Sequence, residues 1–481
     1  MTARPSPRRS SSPTPVPPDE PPRRHPVHRR ARRTLPCGGR RRASPVQSRR
    51  PGTVRRSVRV PPHPDPEAPP GRPVARSRRT PPKVPRPEPA PRVVGPVVER
   101  LEAALAASPG RRDAVVERFW SEGAGASPVV ETAGPGEAVA TFLVRDGGAR
   151  AVLLFVNRLT DERNLADSLM ARVPGTDVWH LSYRMATTWR ASYAVLAHRG
   201  DGPAPWDAPD QAALRRALDL VGRPDPRNPR TCRNRAGQVQ SVVELPDAPP
   251  QPYVERRPGV ARGAVTDQAA PGGRRAWVYE PPVPEGTATD VVLVLDGDAW
   301  TGSQDLATTL DNLHHDGAVR PLRAVLLDAG SRERRWGELD GGGGMDAYLA
   351  HDLLDWARAS LPVRSGRGAV SVAGQSLGAL TSLRVLAAHP DRVGAAISQS
   401  ASLWQGDPSA GLAPGALAGT RAWVEVGTQE WVLRPEHPAA VGRLRAAGCE
   451  VAYREFDGGH DDACWRGGIA DALAWAHPPT R

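Results

Sequence analysis

The stretch GAVSVAGQSLGALTSLRVL, residues 368–386, decides the fold of this chain. It places Gly374, Ser376 and Gly378 in the pattern G-x-S-x-G. The residues before Ser376 favour a β-strand, and the apolar residues after it recur at 377, 380, 383 and 386, which is the spacing of a helix. The stretch therefore predicts a strand, a sharp turn at Ser376 and a helix, the arrangement that presents a serine hydroxyl at the end of a strand.

Ser376 has two interpretations. A chain with 47 glycines in 481 residues produces this pattern readily by chance, so the pattern alone carries little weight. The ordinary interpretation is a serine that caps the following helix. The predicted strand and helix on its two sides, with glycines that permit a tight turn, favour the other interpretation, a catalytic nucleophile.

The composition excludes several classes of protein. A chain of 481 residues is long enough for two or three domains. No apolar run is long enough to predict a membrane-spanning helix, and we expect no secretory signal because the first residues lack an apolar segment. The four cysteines, at positions 37, 232, 449 and 464, have no C-x-x-C spacing, so we interpret them as small buried residues of a cytoplasmic protein.

The positive charge is concentrated at the N-terminus. The whole chain carries a formal net charge of +13, but residues 1–93 alone hold 24 Lys and Arg against five Asp and Glu. The remaining chain is therefore mildly acidic, which gives no reason to expect nucleic acid as a partner. The same residues contain 25 of the 54 prolines, and a segment of this composition buries too little apolar surface to fold. We predict a disordered tail over 1–93, with a polyanion-binding arm as the alternative.

Residues 94–250 are predicted to form a first, mostly β domain. Two short helical patterns come first, followed by four β-rich runs separated by Gly, Asp and Pro turns. These runs lie at 140–146, 151–158, 177–185 and 191–199. A small β-sandwich over about 135–200 accounts for them. The proline-rich stretch 222–250 is predicted to be a linker.

Residues 251–481 alternate between strand and helix patterns. Strands are predicted at 276–283, 291–297, 323–329, 368–374, 395–400, 421–427 and 449–456, and helices near 304–315, 345–361, 377–389, 435–447 and 466–477. Alternation of this kind builds a mostly parallel sheet with helices on both faces. Together with the G-x-S-x-G turn it predicts a chain of the α/β class, in which an α/β-hydrolase catalytic domain follows the small β-sandwich domain and the tail.

The partners of the predicted nucleophile follow from chain order, which in an α/β-hydrolase runs serine, acid, histidine. His460 stands on a loop after the last predicted strand, behind two glycines that let the loop bend, so we predict it as the general base. Glu430 follows the preceding strand and is favoured as the acid. Asp457, Asp461 and Asp462 remain alternatives, although residues so close to His460 rarely fold back onto its Nδ1.

A hydrolase of this kind also needs two backbone N–H groups aimed at the negative charge that develops in the transition state. One is predicted at Leu377, directly after the nucleophile. The other is predicted in the sequence LDGDAW, residues 295–300, at Gly297 or Asp298.

Several segments together resemble one known family. They are LDGDAW (295–300), VAGQSLGAL (372–380), SQSASLW (398–404), VEVGTQE (424–430), DGGHDDACWRGG (457–468) and, upstream, PGTDVWHLSYRMATTWRASYAV (174–195). In these motifs the chain resembles the enterochelin (enterobactin) esterases, which open ferric catecholate siderophores inside bacterial cells. The resemblance covers about residues 94–477. It supports Ser376 and His460 strongly and Glu430 in part.

The resemblance implies a substrate and a binding site. The substrate class is the trilactone esters of 2,3-dihydroxybenzoyl siderophores. Iron is part of that substrate, and the hydrolase itself is expected to need no metal or other cofactor, and no nucleic acid or membrane partner. A ferric tris-catecholate carries about three negative charges, which suit the planar and permanently charged guanidinium of arginine. Substrate binding is predicted for Arg332, Arg334, Arg335, Trp189, Arg190 and Trp404.

Two departures from the family pattern affect the predicted pocket. After the R-x-x-E-L segment at 335–339, a glycine-rich run takes the place of an Asn and an aromatic residue, and Gln405 stands where a second tryptophan is expected. Both departures predict a reshaped pocket. Two other functions are compatible with the sequence. One is an esterase or acyltransferase of the same fold that acts on another ester, and the other is a non-catalytic siderophore-binding protein.

Overall fold

The structure, a computed structural model, describes residues 80–207, 211–340 and 343–479. Most of the predicted tail, residues 1–79, lies outside the described residues. Everything described below belongs to one compact unit within Gly71–Arg481.

The described residues form eighteen strands and eleven α-helices. The first ten strands are β1 (Arg92–Val93), β2 (Val129–Gly134), β3 (Glu137–Arg145), β4 (Ala151–Val156), β5 (Ala171–Arg172), β6 (Val178–Ala186), β7 (Arg190–His198), β8 (Gly222–Arg223), β9 (Thr231–Arg233) and β10 (Val239–Glu244). The other eight are β11 (Ala264–Ala270), β12 (Arg274–Glu280), β13 (Asp290–Val294), β14 (Leu322–Leu327), β15 (Val370–Gln375), β16 (Ala395–Gln399), β17 (Arg421–Gly427) and β18 (Glu450–Phe456). The helices are α1 (Pro96–Ala107), α2 (Arg112–Arg118), α3 (Gln211–Val221), α4 (Gly297–Gly302), α5 (Leu306–His315), α6 (Arg332–Leu339), α7 (Met345–Tyr348), α8 (Leu354–Ser360), α9 (Leu377–Ala388), α10 (His437–Ala446) and α11 (Asp462–Ala476).

Strands β1–β10 form the predicted sandwich of two antiparallel sheets. One sheet has the order β1-β6-β3-β2 with β5 beside β6, and the other has the order β4-β7-β10-β9 with β8 beside β7. Apolar side chains from the two sheets meet in one buried core, where the ring centroids of Phe142 on β3 and Tyr193 on β7 lie 4.8 Å apart. Alternate residues of β4 and β7 face this core and a second cluster that includes residues of α3, so these runs are apolar nearly throughout.

Two parts of the sandwich differ from the sequence-based prediction. The stretch 222–250 is not a linker, because it contains β8, β9 and β10, and β10 pairs with β7 in the middle of a sheet. Prolines and polar residues around this strand obscure its short apolar run. Residues 80–93 are not part of a disordered tail, because β1 pairs with β6 and the Arg86 side chain donates to backbone carbonyls at 158–160. Strand pairing satisfies backbone groups that would otherwise need water.

Strands β11–β18 form one eight-stranded sheet in the order β11-β12-β14-β13-β15-β16-β17-β18. The pairs β11–β12 and β12–β14 are antiparallel, and all the other pairs are parallel. Helices cover both faces: residues of α8, α9 and α10 pack in one core cluster, and residues of α5 and α11 pack in the other. The predicted parallel sheet with helices on both faces is confirmed. Helices α3, α4 and α6 and strand β11 were not predicted.

The carboxyl ends of the parallel strands position the site. The loops that follow β13, β15, β17 and β18 emerge at the same edge of the sheet and carry Gly297, Ser376, Glu430 and His460 respectively. In open α/β sheets ligands bind at this edge.

Candidate active site

Ser376 occupies a strained turn between β15 and α9. Its backbone has φ 60° and ψ −114°, a region that non-glycine residues seldom adopt. A Cβ atom at Gly374 would lie 2.4 Å from the carbonyl carbon of Gly378, so Gly374 is required by the close approach of strand and helix. A Cβ at Gly378 would meet only ordinary contacts at 3.4 Å and beyond, so the first glycine of the motif matters more than the second.

The turn is held by its neighbour β16. The Ser376 N–H donates to the Gln399 carbonyl at 3.0 Å, and the Ser376 carbonyl accepts from Ser402 N at 3.1 Å. The Ser376 hydroxyl lies 3.3 Å from the Ser402 hydroxyl. The roles of Ser376 as nucleophile and His460 as general base stay predictions.

His460 and Glu430 form a close pair at the cleft. Nδ1 of His460 lies 2.5 Å from Oε1 of Glu430. The Glu430 side chain is fully buried, and its other oxygen accepts from the Gly427 N–H at 2.9 Å. The imidazole packs edge-on against Trp465 with 4.6 Å between ring centroids. Because Nδ1 is bonded to the Glu430 carboxylate, Nε2 is the ring nitrogen that is left to accept a proton.

The three aspartates near His460 have other partners. Asp457 accepts from the hydroxyls of Thr188 and Thr428. Asp461 caps α11 by accepting from Ala463 N, and Asp462 accepts from Arg235 N. The structure therefore brings Glu430 to Nδ1 of His460 and directs the aspartates elsewhere.

The environment of Glu430 keeps this carboxyl ionised. Burial by itself would raise its pKa, but the neighbouring charge and hydrogen bond of His460 outweigh burial and lower the pKa below its usual value. A hydrogen bond from Ser400 and the charge of Arg158 act in the same direction. An ionised carboxylate at Nδ1 is what an imidazole needs to become a cation at its other nitrogen.

Two helix starts meet beside Ser376. Leu377 is the first residue of α9 and Gly297 the first residue of α4, so their N–H groups have no intrahelical acceptor. A Cβ at Gly297 would lie 2.4 Å from the backbone of Leu326, which explains the glycine. The indole N–H of Trp300 on α4 donates to Gln375 Oε1 at 2.8 Å and ties the two turns together.

Asp296 holds the start of α4 in place. This buried residue has φ 59° and binds two arginines, Arg335 through both its oxygens at 2.6 Å and Arg235 at 2.7 Å. Burial alone would raise the pKa of Asp296, but the charges of Arg335 and Arg235 lower it. Arg235 comes from the β9–β10 connection, so its ion pair with Asp296 joins the sandwich to the start of α4, which follows β13 of the hydrolase sheet.

Ser376 and His460 line one cleft of about 700 Å³. Its walls come from the sandwich as well as from the hydrolase sheet. From the sandwich side it is lined by Phe155, Asn157, Ser192, Arg215, Leu218, Asp219, Asn234, Arg235, Ala236, Gln238 and Gln240. From the hydrolase side it is lined by Asp296, Asp298, Ala299, Trp300, Gln304, Gly330, Arg332, Arg335, Trp336, Gln375, Asp461, Asp462 and Trp465.

The predicted binding residues divide into two groups. Arg332 and Arg335 lie in the cleft, Arg335 with its guanidinium paired to Asp296. Arg334 points away and pairs with Glu338, four residues further along α6. Arg334 and Arg335 were both predicted to line the pocket. Because helix α6 was not predicted, the sequence did not indicate that the two side chains lie on different faces.

Trp189, Arg190 and Trp404 also require correction. Trp189 is fully buried in the sandwich core. The Arg190 side chain is 6% exposed and pairs with Glu244. Trp404 packs in a separate buried cluster with Val426. None of the three lines the cleft. Trp189, which directly precedes β7, packs into the sandwich core, and Arg190, the first residue of β7, is held by Glu244.

Sequence reasoning missed several cleft residues. Asn157 comes from a run predicted as a sandwich strand, Arg235 from the predicted linker, and Arg215 from a stretch with no predicted element. Trp336 lies within the R-x-x-E-L segment. The strong amphipathic pattern of α3 was the one available signal for Arg215. Burial, followed by the charge of Asp461, raises the pKa of the cleft residue Asp462 to about 7.

Within the described ranges, no helix combines the length and apolar character that crossing a bilayer requires. Among the same residues, no group of three or more His, Cys, Asp or Glu side chains is arranged to hold a metal ion. Cys232, Cys449 and Cys464 are buried and unpaired.

The order of the eight strands, the serine turn after β15 and the histidine after β18 define the α/β-hydrolase class. Comparison with known proteins narrows this class. A family model described as "Enterochelin esterase, N-terminal" matches residues 139–254, and one described as "Putative esterase" matches residues 268–476. The chain is 30% identical to the iron(III) enterobactin esterase of Dickeya dadantii, over 75% of this chain and 92% of that protein. The chain belongs to the enterochelin esterase family.

Other relatives agree with this assignment. The iron(III) salmochelin esterase of Escherichia coli is 27% identical, over 74% of this chain and 92% of that protein. The crystal structure of ferric enterobactin esterase from Salmonella typhimurium superposes with a TM-score of 0.63 and 28% identity, covering 75% of this chain and 98% of that one. The enterobactin esterase of Shigella flexneri, crystallised in the presence of enterobactin, gives a TM-score of 0.60 and 26% identity, covering 75% of this chain and 97% of that one.

Proposed function

We propose that this protein is a serine esterase that hydrolyses the trilactone ester bonds of ferric catecholate siderophores of the enterobactin type. One observation carries the proposal: Ser376, in its strained turn, shares a cleft with a histidine paired to a buried carboxylate. The names of the relatives supply the substrate class. Iron enters as part of the substrate and is released through its hydrolysis, and the proposed site of action is the cytoplasm.

The proposed reaction assigns each group one task. As the Ser376 oxygen attacks the ester carbonyl carbon, His460 Nε2 takes the hydroxyl proton. Glu430 stabilises the resulting imidazolium. The carbonyl oxygen becomes an oxyanion that accepts from Leu377 N–H and from the N–H of Gly297 or Asp298.

The intermediate then collapses. The bond to the alcohol oxygen breaks, and the departing alkoxide takes the proton from His460 Nε2, which leaves an acyl group on Ser376. A water molecule repeats the sequence with His460 as base and releases the carboxylic acid and the free serine.

The proposed division into two domains explains why residues of both the sandwich and the hydrolase sheet line the cleft. We propose that residues 94–250 and 251–481 are two domains and that the substrate binds between them. Arginine and tryptophan side chains line this space, among them Arg332, Arg215 and Trp336. Planar cations and aromatic faces are suited to an anionic complex built from catechol rings.

The test is hydrolysis of ferric and iron-free enterobactin-like trilactones by wild type and by four variants. Ser376→Ala and His460→Ala are each expected to lower kcat by about 10³-fold or more, and the double variant should be little worse because the groups act as a unit. Glu430→Gln should cost about 10²- to 10⁴-fold, since the imidazolium loses its counter-charge.

Binding of the ferric substrate to Ser376→Ala, measured by fluorescence quenching, should stay near the wild-type level. If Ser376→Ala keeps more than about a tenth of the activity, the nucleophile is misassigned. A wild type that binds trilactones without cleaving them would indicate a binding protein. A preference for small neutral esters over trilactones would indicate a general esterase.

A further inference from the structure

The loop that carries His460 rests on the sandwich. Asn157, directly after β4, donates through Nδ2 to the carbonyl oxygen of His460 at 3.0 Å. At the next residue of the loop, the Ser192 N–H donates to Asp461 Oδ2 at 2.6 Å. Asn157 N also donates to the Ser192 carbonyl at 2.9 Å, so the two contact points are joined to each other.

A second set of contacts extends this support to both ends of the loop. Before His460, the Asp457 carbonyl accepts from Arg190 N at 3.0 Å. After it, the Cys464 thiol lies 3.6 Å from the Arg190 carbonyl oxygen. The histidine loop therefore follows the start of β7 over its whole length.

Gly459 makes the contact too close for any side chain. A Cβ at this position would lie 2.2 Å from Arg158 Cγ and 2.6 Å from Asn157 Oδ1. Gly459 is not among the residues with positive φ, so space and not conformation requires the glycine. Two successive residues of the sandwich thus press against the residue that precedes His460.

Arg158, the second of those residues, also contacts the loop that carries Glu430, the proposed acid. Arg158 has φ 64°, and its guanidinium lies 5.2 Å from the ring centroid of Trp431, which directly follows Glu430. Arg86 lies over the same ring at 5.1 Å. The positive charge of Arg158 is one of the influences that lower the pKa of Glu430 against the effect of burial.

We propose that the turn after β4, residues 157–158, is a positioning element for the proposed base and acid. Asn157 fixes the His460 loop, and Arg158 fixes the loop of Glu430, so the sandwich completes the geometry of the pair. Neither residue touches the reacting atoms. The inference rests on the proposed function, because it assumes that His460 and Glu430 act in hydrolysis.

Asn157 variants in the full-length protein provide the test. Asn157→Asp keeps the shape and removes the donor, and Asn157→Ala removes both. On a small p-nitrophenyl ester and on the ferric trilactone alike, kcat should fall about tenfold to a hundredfold with KM within about twofold, because a displacement near 1 Å has effects of this size. Asn164→Ala is the matched control. Asn164 is an exposed asparagine of the same domain whose side chain bonds only Asp167, so this variant should behave as wild type.

Two glycine substitutions test the same contact from the side of the His460 loop. Gly459→Ala should lower kcat on both substrates by a similar factor and leave ferric substrate binding unchanged. Gly442→Ala on α10, where a Cβ meets nothing within 4 Å, is its control. If an Asn157 variant has a shifted Tm, its loss of kcat no longer separates positioning from instability. The comparison of Gly459→Ala with Gly442→Ala then tests the proposal.

Each outcome has a distinct meaning. Wild-type kcat in Asn157→Asp and in Gly459→Ala would overturn the positioning proposal. A loss confined to the trilactone and expressed in KM would also overturn it, because Asn157 would then be a substrate contact. The proposed function fails separately, if wild type leaves trilactones intact or if Ser376→Ala stays active.

Discussion

Arg335 and Arg332 lie on the same helix and in the same cleft, yet their surroundings give them different chemistry. Arg335 is mostly buried and committed to the Asp296 carboxylate. Arg332 is exposed and forms no ion pair among the described residues. An arginine already paired with a buried carboxylate supports the site, whereas a free one can receive an anionic substrate.

This difference predicts a contrast between neighbours on α6. Arg332→Ala should raise KM for the ferric complex about two- to fivefold, the range of an exposed charge contact, and should leave a neutral ester unaffected. Arg334→Ala, the matched control that pairs with Glu338 outside the cleft, should change neither. Added salt should weaken the Arg332 effect by screening. Equal effects of the two substitutions would show that Arg332 does not contact the complex.

At the scale of elements, a chain of polar side chains crosses the ends of three parallel strands. Trp300 donates to Gln375 at 2.8 Å, Gln375 to Gln399 at 2.7 Å, and Gln399 to Glu425 at 2.7 Å. Trp423 donates to the other Glu425 oxygen at 2.9 Å. These hydrogen bonds link Gln375, which directly precedes Ser376, to the sheet interior. The position of the serine turn therefore depends on β15, β16 and β17 together.

Glu425 makes the stability of this region depend on pH. Burial raises its pKa from 4.5 to about 7, against the lowering effect of its hydrogen bonds with Gln399 and Trp423. A raised pKa contributes stability that is fully present below the unfolded value and is lost as the pH rises through the folded value. Between pH 4.5 and pH 7 the loss should be roughly 3 kcal/mol.

Glu425→Gln should remove this part of the pH dependence. Urea unfolding of wild type and variant at pH 5 and pH 7.5 measures it, and the difference between the two proteins separates Glu425 from other titrating groups such as Asp462. Asp462→Asn serves as the comparison, because Asp462 also has a raised pKa but lies in the cleft. Parallel pH profiles for wild type and Glu425→Gln would mean that Glu425 is ionised in the native protein at both pH values.

At the scale of the whole molecule, residues 80–93 connect the sandwich to the surroundings of the acid. Strand β1 extends a sandwich sheet, while the Arg86 guanidinium bonds the carbonyls after β4 and covers Trp431 beside Glu430. The strap formed by residues 80–93 is therefore held by folded structure at Arg86 and at its C-terminal end in β1.

Two deletions separate this strap from the residues before it. Removal of 1–79 should leave Tm and kcat unchanged, because a proline-rich basic segment has no core to contribute. Removal of 1–91 should lower stability by about 1–3 kcal/mol, the cost of leaving polar partners of Arg86 unsatisfied. Arg86→Ala in the full chain should reproduce much of that loss. A large effect of the shorter deletion, or none of the longer one, would contradict this division.

The sequence by itself determined the features that depend on near neighbours. The strand, turn and helix around Ser376 follow from local apolar spacing and from a glycine that leaves room for the turn. The alternating strands and helices of 251–481 follow from the same kind of pattern. Chain order pointed to His460 as the base and favoured Glu430 over three nearby aspartates as the acid. Each of these inferences needs only a few residues of context, because backbone geometry and apolar periodicity are local properties.

The tertiary structure decided everything that depends on contacts between distant segments. Asn157 and His460 are 303 residues apart, and nothing in either neighbourhood indicates that they meet. The same holds for Arg335, which pairs with Asp296 instead of facing substrate, and for Trp189, which packs in a core. A side chain's role depends on which charges and surfaces reach it, and these are fixed only when the sandwich closes over the end of the hydrolase sheet.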